Sequence, residues 1–195
     1  MAVTTARQTS LVGADVRLLV LAAGRQWCAA IDLGSGALVS AEWRAPAPAA
    51  LPRLSIVGAR LAGDGVDEGE GDPMRPEAMT LAGPPQPIGR MARRRARRWL
   101  RPLLHPAAEH ILGFAGPAVP YWTLTGERAS VAVVAPPTPP VVAGGECRFE
   151  WRNTTHVLPV LPAALAACPP RPRQLLVALS PPRAGHCYKV VAGLL

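Results

Sequence analysis

Proline is the feature that most constrains this chain. It occurs 23 times in 195 residues, beside 18 glycines. A proline inside a helix removes a backbone donor and clashes with the preceding turn, at a cost of about 3 kcal/mol. Glycine loses the most backbone entropy on ordering. Long uninterrupted helices and an all-helical bundle are therefore excluded, and short elements joined by turns are expected. Hydrophobic residues still make up 49% of the chain. At this length that suffices for a buried core in one or at most two small domains.

Charge is distributed in blocks. The formal net charge is +8, carried by twenty arginines and one lysine, Lys189. Abundant Ala, Gly, Pro and Arg reads as the product of a GC-rich bacterial genome, which weakens the overall basicity as a sign of nucleic-acid binding. Position says more. Residues 1–62 carry net +3, residues 63–87 net −5, residues 88–104 net +7 with no acid, and residues 105–195 net +3.

The first block reads as β-structure. Asp15 to Ala22 is rich in apolar and branched residues, and Gln26–Leu33 and Ala37–Trp43 flank a Gly34-Ser35-Gly36 hairpin turn. Leu54 to Leu61 is a further strand. Residues 63–87, with their glycines, prolines and acids, read as an exposed loop or linker. Pro87 to Arg101 then shows helical periodicity. Ile88, Met91, Ala92, Ala96 and Trp99 share one face, with Leu103 following if the helix continues; Arg90, Arg93, Arg94, Arg97 and Arg101 share the other, with Arg98 at its edge and Arg95 inside the apolar arc. A second helical piece is expected from Pro106 to Leu112. Strands follow at Tyr121–Leu124, Ser130–Ala135, Glu146–Trp151, His156–Val160, Leu175–Leu179 and Cys187–Val191, with a short helix at Leu161–Cys168. In Glu146–Trp151 the alternation puts Cys147, Phe149 and Trp151 on one face and Arg148, Glu150 and Arg152 on the other, as in a half-buried strand.

The predicted fold is thus α+β and mostly β: small barrel- or sandwich-like antiparallel sheets with one basic amphipathic helix. It divides into an N-terminal β unit (1–62), an acidic Gly/Pro-rich loop (63–87), the basic helix (88–104) and a C-terminal β unit (105–195), compatible with one domain overall.

The sharpest candidate site is the cationic helix face formed by Arg90, Arg93, Arg94, Arg97, Arg98 and Arg101. Guanidinium groups stay charged and pair bidentately with phosphate. That points to nucleic acid, with a protein partner or an anionic membrane surface as alternatives. A bland alternative is that the face is merely solvated, or docked on the acidic loop between Asp64 and Glu77. Tyr121, Trp122, Phe149 and Trp151, near Arg128, Arg148 and Arg152, could stack bases, although the alternation favours Phe149 and Trp151 as core.

Other chemistry finds little support. Cys28, Cys147, Cys168 and Cys187 form no Cys-x-x-Cys pair and read as reduced, buried small hydrophobes. His105 and His110 are five apart with Pro106 between them, which departs from a regular helical i, i+4 pair, and His186 and Cys187 are adjacent, so zinc ligation is weakly supported. No nucleophile elbow, phosphate loop or EF-hand is present. No catalytic residue, metal or cofactor is assigned, so a non-enzymatic binding module is the reading, with an unrecognised enzyme site as a further alternative. Asp15 and Arg17 interrupt the apolar run near the N-terminus, and no stretch is long enough to span a bilayer, so a cytoplasmic location is expected.

Overall fold

Alternating side chains on one central strand organise the molecule. The computed structural model describes residues 13–45, 51–62, 77–124 and 129–195. Strand β1 (Asp15–Ala23) contains the run Leu18-Leu19-Val20-Leu21, buried on both faces. Successive strand residues point to opposite sides, so Leu18 and Val20 enter one core with Val39, Trp43 and Met79. Leu19 and Leu21 enter another with Met91, Leu100, Val133 and Leu176. The second core therefore joins the N-terminal and C-terminal parts of the chain.

Strand β1 lies inside a six-stranded sheet with β2 (Trp27–Asp32), β3 (Leu38–Glu42), β4 (Ser55–Arg60), β5 (Ala78–Thr80) and β6 (Gln86–Arg90), in the order β5-β3-β2-β1-β4-β6. Only the β3–β5 pairing in this sheet is parallel. The hairpin joining β2 and β3 is fixed by Asp32. Its carboxylate accepts hydrogen bonds from Gly34 N at 3.0 Å, Ser35 N at 3.2 Å and Ser35 Oγ at 2.6 Å.

The second half builds two more sheets. Strands β7 (Ala118–Pro120), β8 (Val131–Val134), β12 (Leu175–Leu179) and β13 (His186–Leu194) form a four-stranded sheet in the order β7-β13-β12-β8. Strands β9 (Val141–Ala143), β10 (Glu146–Trp151) and β11 (Thr154–Pro159) form a three-stranded one. Val131 and Val133 of β8 face the core shared with β1, while Ala132 and Val134 face a third core with Phe149 and Trp151. The first and second sheets approach closely at Gly193, where an added Cβ would lie 3.1 Å from Ala22 Cβ and 3.3 Å from Leu176 Cβ. The protein is mostly β, with three sheets and one of them curled into a half-barrel. Besides 3-10 turns, the described residues hold two helices, α1 (Arg93–Leu100) and the short α2 (Pro162–Ala166). No helix among them is long and apolar enough to cross a membrane.

Several sequence expectations need correction. The helix does not begin at Pro87. Residues 86–90 form β6, which pairs with β4 on one side and has no neighbour among the described residues on the other. A proline is tolerated on such an edge because an outward N–H is not needed there. Ile88, expected on the apolar helix face, is instead 58% exposed, and Ala92 is exposed as well. The acidic segment is not loop throughout: Ala78–Thr80 is a strand, and Met79 and Leu81 are buried. Tyr121–Thr123 is a 3-10 turn, not a strand, and Pro106–Leu112 holds only the 3-10 turn Ile111–Gly113 at its end.

Candidate nucleic-acid interface

Helix α1 has little local reason to form. Its first turn contains no acid, and Ala92 at its N-cap supplies no side-chain hydrogen bond. Positive charge in the first turn opposes the helix dipole. Arg93/Arg97, Arg94/Arg98 and Arg97/Arg101 are like-charged neighbours at i, i+4, each destabilising by ~0.2–0.5 kcal/mol. Tertiary burial offsets this. Ala96 and Leu100 of α1 and Met91 just before it are buried in the core shared by β1, β8 and β12. The chain then turns through the 3-10 segment Arg101–Leu103, and Leu104 bridges to Val133 of β8. The apolar side is thereby occupied by the protein's own core.

The opposite side is open. Arg90 stands at the end of β6, Arg93, Arg94, Arg97 and Arg98 stand on α1, and Arg101 opens the 3-10 turn. All six are exposed, and so is Arg95. Among the described residues the one ion pair is Arg60–Asp15 at 3.8 Å, far from this face in sequence. The acids Asp64, Asp67, Glu68, Glu70 and Asp72, which docking on the acidic loop would need, lie outside the described residues. Glu77 is described, and its Oε1 accepts hydrogen bonds from Ser130 N at 2.8 Å and from Ser130 Oγ.

Arg53 joins this group, and sequence reasoning did not find it. It lies in the turn Pro52–Ser55, closed by a 3.1 Å hydrogen bond from Ser55 N to Pro52 O. Leu54 adopts φ +65° in this turn, a left-handed conformation that costs a non-glycine residue about 1–2 kcal/mol. Burial of its side chain against Met91, Ala96 and Leu100 compensates. Met91 N donates to Leu54 O at 2.8 Å, which ties this turn to the start of α1. Arg53, Arg90 and Arg93 consequently line one open groove of about 620 Å³. Arg53 Nη1 donates to Leu194 O, which holds the guanidinium in place. Burial, then the charge of Arg93 and more weakly that of Arg90, pulls the Arg53 pKa below its usual value, partly countered by Cys168. No local signal near position 53 announces this neighbourhood, because the contact spans 37 residues and depends on the β4–β6 pairing.

The aromatic residues separate into two groups. Phe149 and Trp151 are buried core, and Trp151 Nε1 donates to Glu109 O at 2.9 Å. Tyr121 and Trp122 are exposed, and Trp122 meets His186 edge to face with ring centres 5.7 Å apart. They lie by β7, at the edge of the four-stranded sheet opposite β8 and the 3-10 turn of the arginine segment. Arg148 and Arg152 are exposed, and Arg128 lies outside the described residues. The proposed stacking group is thus not brought together.

Among the described residues, no three His, Cys, Asp or Glu side chains gather into a metal-ligand group. His105 and His110 meet instead through a hydrogen bond between His105 Nε2 and His110 O at 3.0 Å. All four cysteines are free thiols. Burial pushes Cys28 up to about 12 and Cys147 to about 11, the latter raised further by Cys168. No family model, curated protein or solved structure matches the chain.

Proposed function

We propose that the chain is a non-enzymatic binding module that contacts nucleic-acid phosphates through Arg90, Arg93, Arg94, Arg97, Arg98 and Arg101. One observation carries the reading: these cations are exposed and without an ion-pair partner among the described residues. An anionic polymer would relieve the like-charge repulsion along α1. It would also release the counterions condensed on its own phosphates, the main driving force of non-specific binding. Burial of Ala96 and Leu100 in the protein's own core favours such an electrostatic partner. Docking of the amphipathic helix into another protein's groove, or its insertion into a membrane surface, would need that apolar side free.

The test is a salt titration of DNA and RNA binding, followed by fluorescence anisotropy. Each phosphate neutralised contributes a slope of about −0.9 in log K against log salt for duplex DNA, and about −0.7 for single strands. Six engaged arginines give a duplex slope near −5, and Arg94→Gln or Arg97→Gln each make it shallower by about one. Affinity that ignores salt, or that survives replacement of all six arginines, removes the proposal.

A further inference from the structure

We infer that the groove between the Pro52–Ser55 turn and the start of α1 is a seat for a terminal phosphate monoester, held by Arg53, Arg90 and Arg93. This deepens the nucleic-acid reading and rests on it for the polymer, though not for the phosphate itself. Three arginines from three separate elements line the same concavity. Arg53 comes from the turn before β4, Arg90 from the end of β6 and Arg93 from the first position of α1. No carboxylate among the described residues forms an ion pair with any of them. The group shares Arg90 and Arg93 with the outward face and differs from it by Arg53, which is half-buried and oriented by its bond to Leu194 O. A guanidinium carries five N–H donors, so one backbone acceptor leaves most of its donors available. Burial is the main cause of the lowered Arg53 pKa, and the charges of Arg93 and, more weakly, Arg90 add to it against an opposing effect of Cys168.

Charge selects the ligand within the phosphate class. An internal phosphodiester carries one negative charge, whereas a terminal monoester carries about −1.5 to −2 at neutral pH and offers three acceptor oxygens. Three cations around one open groove match the monoester better. The remaining apolar lining, Leu54, Met91 and Ala167, gives a base no hydrogen-bonding edge to read. The seat therefore recognises the end of a strand rather than its sequence, and the rest of the strand runs toward Arg94, Arg97, Arg98 and Arg101.

The experiment compares short single strands ending in 5′-phosphate, 3′-phosphate or hydroxyl, with inorganic phosphate and pyrophosphate as free probes. A phosphorylated end is expected to bind about tenfold more tightly than a hydroxyl end, the effect of one charge-assisted contact. Arg90→Gln, whose side chain is exposed, is expected to remove that ratio while the fold stands. Arg53→Gln should do the same, and Arg98→Gln should weaken all strands alike and keep the ratio. Equal affinity for all ends, with no saturable phosphate binding, overturns the seat even if salt-dependent strand binding persists. Saturable pyrophosphate binding lost in Arg90→Gln, with no strand binding at all, keeps the seat and overturns the nucleic-acid reading.

Discussion

Lys189, the chain's single lysine, is 0% exposed on β13, and its Nζ donates to Phe114 O. Burial lowers its pKa from 10.5 to about 8. The direction of the stability effect follows. In the unfolded chain the amine holds its proton up to about 10.4, whereas the folded protein releases it near 8. Below that value the folded state carries a charge it solvates poorly, at a cost of about 3 kcal/mol for the full difference. As pH rises from 7 to 9, the unfolded state retains more protons than the folded state, and stability increases by about 1.3 kcal/mol from this residue. The thiols of Cys28 and Cys147 act in the opposite sense above their unfolded pKa, because burial raises theirs. A wild-type profile alone therefore mixes the effects, and comparison with Lys189→Met separates them. In urea unfolding at pH 7, 8 and 9, the variant should be most favoured relative to wild type at pH 7, with the difference moving toward wild type by about 1.3 kcal/mol at pH 9. His156, whose pKa is lowered first by burial and next by Lys189, should titrate higher in the variant by NMR. A stability difference that stays constant across this range would refute the reasoning.

Three further perturbations address the fold. Asp32→Ala removes three hydrogen bonds that hold the β2–β3 turn and should cost about 1–2 kcal/mol in urea unfolding, reduced by the exposure of the site. The hairpin joining β10 and β11 turns at Arg152 and Asn153 with φ +51° and +57°, so Arg152→Asn should stabilise it by up to about 1 kcal/mol, read as a raised Tm. Gly193→Ala forces a Cβ to within 3.1 Å of Ala22 Cβ and should destabilise by about 1–3 kcal/mol through overpacking. A variant as stable as wild type would mean that the two sheets can separate there without loss.

The β-strands were legible wherever an apolar run or an alternation repeated. β10 shows this best: Cys147, Phe149 and Trp151 are buried as their spacing requires. Errors arose where tertiary pairing overrode local pattern. Ile88 and Met91 match a helical spacing, yet β4 captures residues 86–90 as an edge strand, so only Met91 reaches the core. Met79 and Leu81 were hidden within an acidic, breaker-rich stretch because a three-residue strand shows no periodicity. The arginine face was readable because one element carries most of it. The groove was not, because Arg53 and Arg93 are forty positions apart and meet through the β4–β6 pairing and the Leu54–Met91 contact.

A compositional preference for arginine over lysine would act along the whole sequence. It does not gather seven of twenty arginines into residues 90–101 and leave that stretch without an acid. It also fails at Lys189, and the reason is physical. A guanidinium keeps its charge and needs several acceptors, whereas a buried amine can shed its proton and live with few. The buried lysine of β13 and the clustered arginines of α1 are both departures from uniform composition. The first has a structural cause in β13. The second costs helix stability and gains nothing from the protein's own described acids, a deficit that the proposed anionic partner would offset.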